Sequence, residues 1–209
     1  MKKIIHTALA AFGVLAVAAV PAASQNLRIA LKEDPDILDP TLSRTFVGRI
    51  VYAALCDKLF DINEKLEIVP QLATGHRWED PRSLIITLRE GVRFHDNEVM
   101  DAEAVKYSLM RHLTLQGSFR RSEIADMESV EVVDPRTIRI RLKGPSASFL
   151  AALTDRAGMP VSPKAAEALA NEILGKVSAV QIWPPRGSTT HKKIRDRSLC
   201  HLNGHGRLE

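Results

Sequence analysis

The sequence predicts a mixed α/β fold. Short stretches of alternating apolar and polar residues come in pairs joined by Asn-, Asp- or Pro-bearing turns. Two longer stretches carry apolar residues at the 3.6-residue helical period. The composition, 45% hydrophobic and 26% charged over 209 residues, is that of a globular chain with a core to bury.

The first segment reads as an address rather than a fold element. Met1-Lys2-Lys3 is positive, Leu9 to Val20 is a twelve-residue apolar run, and Pro21-Ala22-Ala23-Ser24 supplies small residues. A run of that length is too short to span a roughly 30 Å hydrocarbon core as a helix. Together these features predict a secretory signal cleaved between Ser24 and Gln25, with Ala22 at the −3 position. The mature chain is then exported to the periplasm, with no stable membrane insertion.

The mature chain starts with a predicted strand, Leu27-Arg28-Ile29-Ala30-Leu31, and breaks at Asp34-Pro35 and Asp39-Pro40. Phe46, Val47, Ile50, Val51, Ala54, Leu55 and Leu59 then mark an amphipathic helix of about four turns. The spacing of Phe46 with Ile50 predicts that both face the core. Cys56 lies in this helix and reads as a free, semi-buried thiol. The alternative is a bridge to Cys200, the other cysteine of the chain.

Hairpins follow. Leu59–Ile62 pairs with Leu66–Val69, and His76–Glu79 with Leu84–Leu88. Asp101 is placed to N-cap a helix that buries Ala104, Val105, Ser108, Leu109 and His112. Val130–Val133 and Thr137–Leu142 flank Asp134-Pro135-Arg136 as a third hairpin. In its second strand Ile138, Ile140 and Leu142 face a core, while Arg139, Arg141 and Lys143 face water. That basic row reads as a solvated face rather than a phosphate-binding stripe, because the period of two already accounts for it. A short helix around Ala147 to Leu153 and another opened by Ser162-Pro163 complete the pattern.

The charge is uneven. Residues 171–209 hold seven Lys/Arg against three Asp/Glu, whereas residues 1–170 hold 22 of each. The basic balance therefore belongs to a tail, and no basic face for nucleic acid is implied. From about residue 172 the periodicity also fails, which predicts an aberrant stretch without regular structure. Cys200, His201 and His205 lie in it without a helix to present them, so no zinc site is expected.

Three segments together resemble a known family. They are Asp36-Ile37-Leu38-Asp39-Pro40, then Leu84 to Asp96 ending in Arg89-Glu90-Gly91-Val92-Arg93-Phe94-His95-Asp96, then Asp101 to Arg111 with Val105, Ser108 and Arg111 at helical spacing. They look like family 5 of the extracytoplasmic solute-binding proteins, the dipeptide, oligopeptide and nickel group of ABC importers. The resemblance runs from about Leu27 to Ala170. Asn97 stands where the family usually has Gly, and Asn suits a positive-φ turn.

The resemblance implies a type II periplasmic binding protein-like fold, incomplete here. Residues 25–60 would belong to the first lobe, 61–157 to a small accessory domain, 158–171 to the return into that lobe, and 172–209 to the aberrant tail. The second lobe would be missing, as in a truncated or frameshifted copy with weak or no solute binding. It also implies a peptide or peptide-like solute, ABC permease subunits as partners, and no cofactor or metal. Thr45 and Phe46 are the candidates for ligand contact, since the loop after Asp39 and Pro40 approaches the cleft in such proteins. Gly91, Phe94, His95, Asp96, Val105, Ser108 and Arg111 are expected to be structural.

An exported interaction module that docks to a permease or sensor without solute is the alternative, and a small hydrolase a third reading. The chain carries no G-x-S-x-G, P-loop, G-x-G-x-x-G or H-E-x-x-H pattern. His95-Asp96 has no visible nucleophile or metal partner, so no enzyme is expected.

Overall fold

The computed structural model describes residues 29–168 apart from Asp34. The chain divides after Leu31. Of the first part only residues 29–31 are described, and they are irregular and exposed, so the strand expected at Leu27–Leu31 is not formed over its described half. A strand is held by its neighbour, and no described strand pairs with these residues. The second part, from Lys32, carries every element below.

Helix α1 spans Phe46–Leu55. It is shorter than the expected four turns because tertiary partners take the backbone groups beyond Leu55. Lys58 N–H donates to the Gln71 side chain at 2.8 Å, and Leu59 N–H to the Gly158 carbonyl at 2.8 Å. The buried face also differs from expectation. Val47, Gly48 and Tyr52 point inward, whereas Phe46 is 70% exposed and Ile50 40%. Arg49 is the one charged residue of the helix, so the pattern says little about which of its apolar residues turn in.

Cys56, which caps α1, is buried and disulfide-bonded, with its partner outside the described residues. This corrects the free thiol that the sequence favours. Local pattern carries no information on which distant sulfur comes within reach.

Strands β1 (Phe60–Ile62) and β2 (Ile68–Pro70) form the first hairpin. Strands β3 (Ala73–Asp80), β4 (Ser83–Leu88), β5 (Met127–Asp134) and β6 (Thr137–Leu142) form an antiparallel sheet in the order β3-β4-β6-β5. Helix α2 (Ala102–Thr114) packs against β5 and β6. Its Asp101 cap accepts from Ala104 N–H at 2.9 Å, as the sequence predicts. Leu84, Ile86, Ile138, Ile140 and Leu142 from the sheet meet Val105 and Leu109 from α2 in one core, joined by Val92 and Phe94. Burying such side chains supplies about 1.5–3 kcal/mol each.

The opposite sheet face is a lattice of ion pairs. Arg139 meets Glu79 at 2.9 Å and Glu131 at 3.1 Å, and Arg141 meets Glu131 at 3.2 Å. Lys143 donates to the Ala125 carbonyl. The two arginines of the row are therefore answered by acids on β3 and β5 and Lys143 by a carbonyl, which leaves no phosphate stripe. Ile85 is buried on this charged face, in register between Arg77 and Arg139. Long arginine stems suit that cover.

The loop from β4 to α2 turns at Gly91 (φ 75°) and at Asn97 (φ 70°), the position at which Asn was expected to stand in for Gly. Helix α3 (Phe149–Ala152) and a 3₁₀ turn at Arg156–Gly158 follow. A final helix starts at 163, where Ser162 Oγ accepts from Ala165 N–H. No described helix is long and apolar enough to cross a membrane.

Candidate functional site

The segment from Asp36 to Phe46 is held from both sides. Asp36 accepts from the Ser43 hydroxyl at 2.9 Å, Arg44 N–H at 2.8 Å and the Thr45 hydroxyl at 2.9 Å. Desolvation would raise its carboxyl, but these bonds outweigh it and hold the pKa at about 2. Thr45 also caps α1, its Oγ1 accepting from Gly48 N–H at 3.0 Å. Gly48 is required there, since a Cβ would lie 2.6 Å from the Ser43 hydroxyl.

Two buried arginines grip the same segment from the opposite side. Arg120 donates to the Ser43 carbonyl at 3.0 Å, and Arg156 to the same oxygen at 3.1 Å and to the Thr45 carbonyl at 3.3 Å. Arg120 also pairs with Glu123 at 2.6 Å. Burial lowers the Arg120 pKa and raises that of Glu123. Neither arginine stands out in the sequence, because 77 and 113 residues separate them from Ser43.

The family-like residues meet at a second junction. Asp39 is fully buried and takes a two-point contact from Arg111, at 3.0 and 2.6 Å. Thr41 N–H donates to Asp39 at 2.9 Å. The Thr41 hydroxyl lies 2.8 Å from His112 Nδ1 and also accepts from Arg111. His112 Nε2 lies 3.1 Å from the Met159 carbonyl, which only a protonated Nε2 can satisfy, so Nδ1 accepts from Thr41 in the neutral ring. Burial pushes the His112 pKa down to about 4. Ser108, one turn earlier, accepts from Val161 N–H at 2.9 Å. Pro40 is buried beside Asp39. One face of α2 thus ties the Asp39–Thr41 turn to residues 159–161.

The remaining predicted positions fall as scaffold. Phe94 and Val105 are core residues. Asp96 accepts from the Ser162 hydroxyl and from Glu98 N–H, so it joins the β4–α2 loop to the last helix. His95 is half-buried in that loop. Among the described residues no three metal-ligating side chains converge. Ser24 and Gln25 lie outside the described residues.

The two candidates for ligand contact differ in what they offer. The Thr45 hydroxyl is used by Asp36 and Gly48, whereas the Phe46 ring is open to solvent at the start of α1. Along the same helix face lies a groove of about 760 Å³, bordered by Arg49, Ala53, Lys58, Asp61, Asp155 and Met159. Its charges are paired, Arg49 with Asp155 at 2.6 Å and Lys58 with Asp61 at 2.5 Å.

Comparison with known proteins places this geometry. Residues 67–179 match the model of the bacterial extracellular solute-binding proteins, family 5 Middle. The glutathione-binding protein GsiB of Salmonella paratyphi A is 32% identical over 174 residues, which is 81% of this chain and 34% of that protein. The Escherichia coli murein tripeptide binding protein MppA superposes with a TM-score of 0.61 at 27% identity, over 66% of this chain and 31% of its own. A nickel ABC transporter protein from Bacillus halodurans gives a TM-score of 0.55 at 29% identity, over 62% and 26%. The chain spans about a third of the length of the curated relatives it matches. It belongs to the bacterial extracellular solute-binding proteins of family 5.

Proposed function

We propose that the chain is exported by its first 24 residues and belongs to the solute-binding component of an ABC importer for peptides or peptide-like solutes. Family membership carries this reading. The names of the relatives narrow the solute, since one is a glutathione-binding protein and another a murein tripeptide binding protein. Phe46 is the side chain that meets solute. It stands exposed on a segment fixed by Asp36, Arg120 and Arg156, and a preorganised anchor costs little ordering entropy on binding. Thr45 acts by holding that segment.

The 209 residues alone bind weakly. Binding proteins of this kind close two lobes around a solute. Pockets commonly bury about 70–90% of a small ligand, whereas one open face leaves about half of it wet. Affinity then falls from micromolar toward millimolar, about 4 kcal/mol.

Calorimetry of the purified mature chain against glutathione and a di- and tripeptide mixture tests this. Weak heat saturating near millimolar, reduced by Phe46→Ala, is the expected result. Micromolar saturation would show a complete site within these residues. No heat from a folded chain would favour the module that docks without solute. N-terminal sequencing of the exported form should begin at Gln25.

A further inference from the structure

Arg44 differs from the other cations around the Asp36–Phe46 segment. Its guanidinium carbon lies over the Phe119 ring, 5.8 Å from the ring centre. A ring attracts a cation but accepts no ordinary hydrogen bond, so this contact leaves the guanidinium N–H donors unspent. Among the described residues, every arginine except Arg44 and Arg82 gives its side chain to an oxygen. Arg82 belongs to the β3–β4 turn and has no ring beneath it among the described residues.

Both halves of the Arg44–Phe119 contact are held in place. Arg44 N–H donates to Asp36 at 2.8 Å, and the carbonyl just before it is gripped by Arg120 and Arg156. Phe119 N–H donates to the Thr41 carbonyl at 3.0 Å, and the next residue is the buried Arg120. The two acids of the segment are engaged elsewhere. Asp36 takes the Ser43 and Thr45 hydroxyls and the Arg44 N–H, and Asp39 takes Arg111 and Thr41 N–H. Arg44 is exposed, Phe119 is 44% exposed, and the exposed Phe46 follows two residues later.

We propose that Arg44 is a specificity residue: its guanidinium takes the terminal carboxylate of a peptide solute, and the Phe119 ring is the platform that holds it. The inference rests on the solute-binding reading above and names the end of the solute that meets this segment. A linear peptide ends in one carboxylate, whose two oxygens match two parallel N–H donors of a guanidinium. The ring restricts a long side chain before solute arrives, so less ordering entropy is lost on binding. A lysine at this position would offer a point charge without the fork. The bond is charge-assisted but partly exposed, and its loss should weaken binding about tenfold.

The test uses the full mature chain, labelled with nitrogen-15, and tripeptides of alanine, valine and tyrosine, in which the chain end is the one carboxylate. A second set of the same tripeptides carries C-terminal amides. In NMR titrations the first set should move the Arg44 side-chain N–H signal with a millimolar Kd, and the amides should bind about tenfold more weakly. Arg44→Gln removes an exposed side chain and should bind both sets alike, at the weaker affinity. Arg44→Lys should recover part of the preference for the carboxylate, and Phe119→Leu, which keeps the charge but removes its platform, should lose part of it. Equal affinity of the wild type for both sets overturns the proposal while peptide binding stands. So does a carboxylate preference that survives Arg44→Gln. Absence of binding by either set from a folded chain removes the solute-binding reading and this inference with it.

Discussion

Removing Arg111 should unlock the turn that precedes α1. The Asp39 side chain is fully buried and that of Arg111 is 11% exposed, with two contacts at 3.0 and 2.6 Å. Truncating one partner of such a pair strands the other charge, at a cost of about 3–5 kcal/mol. Arg111→Leu should therefore lose about 3 kcal/mol or more, since Thr41 N–H still donates to the stranded carboxylate. With a urea m-value of about 2 kcal/mol/M, the midpoint falls by about 1.5 M. Asp39→Leu should cost a similar amount. The double variant should cost far less than the sum, because it strands no charge and leaves only the Thr41 N–H without its acceptor. A coupling of about 2 kcal/mol is expected for groups in direct contact. Raising salt from 0.1 to 0.5 M should barely move the wild-type midpoint, because buried pairs are little screened. Equilibrium urea unfolding followed by circular dichroism reads all of this. Additive single effects, with coupling below about 0.5 kcal/mol, would refute the assignment of the pair as the fastener of the turn.

Other substitutions probe the same junctions. His112 is buried neutral with a pKa of about 4, below its unfolded value of 6.5. The unfolded chain therefore binds more protons between these values, so stability is full above pH 6.5 and falls by about 3 kcal/mol as pH drops to 4. His112→Gln should flatten that slope in urea midpoints taken across pH 4–7. Asp36 titrates lower, from about 2 to 3.8, and contributes only below that window. Ser108→Ala should cost about 1–3 kcal/mol by orphaning Val161 N–H, read as a lower midpoint. Gly158→Ala should cost about 3 kcal/mol or more, because its Cβ would lie 1.9 Å from the Leu153 carbonyl oxygen. A midpoint within experimental error of wild type would refute that packing.

The elements that were legible in the sequence are those whose signals are local. Asp101 and the 3.6-residue row from Ala104 to His112 give α2 its start and its buried face, because polar residues alternate with that row. The period of two places Ile138, Ile140 and Leu142 inward in the same way. Helix α1 offers less contrast, with Arg49 its one charged residue. Phe46, Ile50, Val51, Ala53 and Ala54 are all apolar, so the inward face is set by what the rest of the chain brings to Val47 and Tyr52. The grips on the site are less legible still. Arg120 and Arg156 bind carbonyl oxygens, and a carbonyl belongs to every residue, so no side-chain spacing announces them. Asp39 and Arg111 are visible only as parts of a family-like pattern, and the pattern does not say why they recur. Their contact supplies the reason. An acid ahead of α1 and a base on α2 can both be buried only if they meet, and meeting fixes the turn that carries Thr45 and Phe46. The residues that look like a signature are thus the ones that fix the segment ahead of α1, whereas the helical spacing of Phe46 with Ile50 does not say that the Phe46 ring stays exposed.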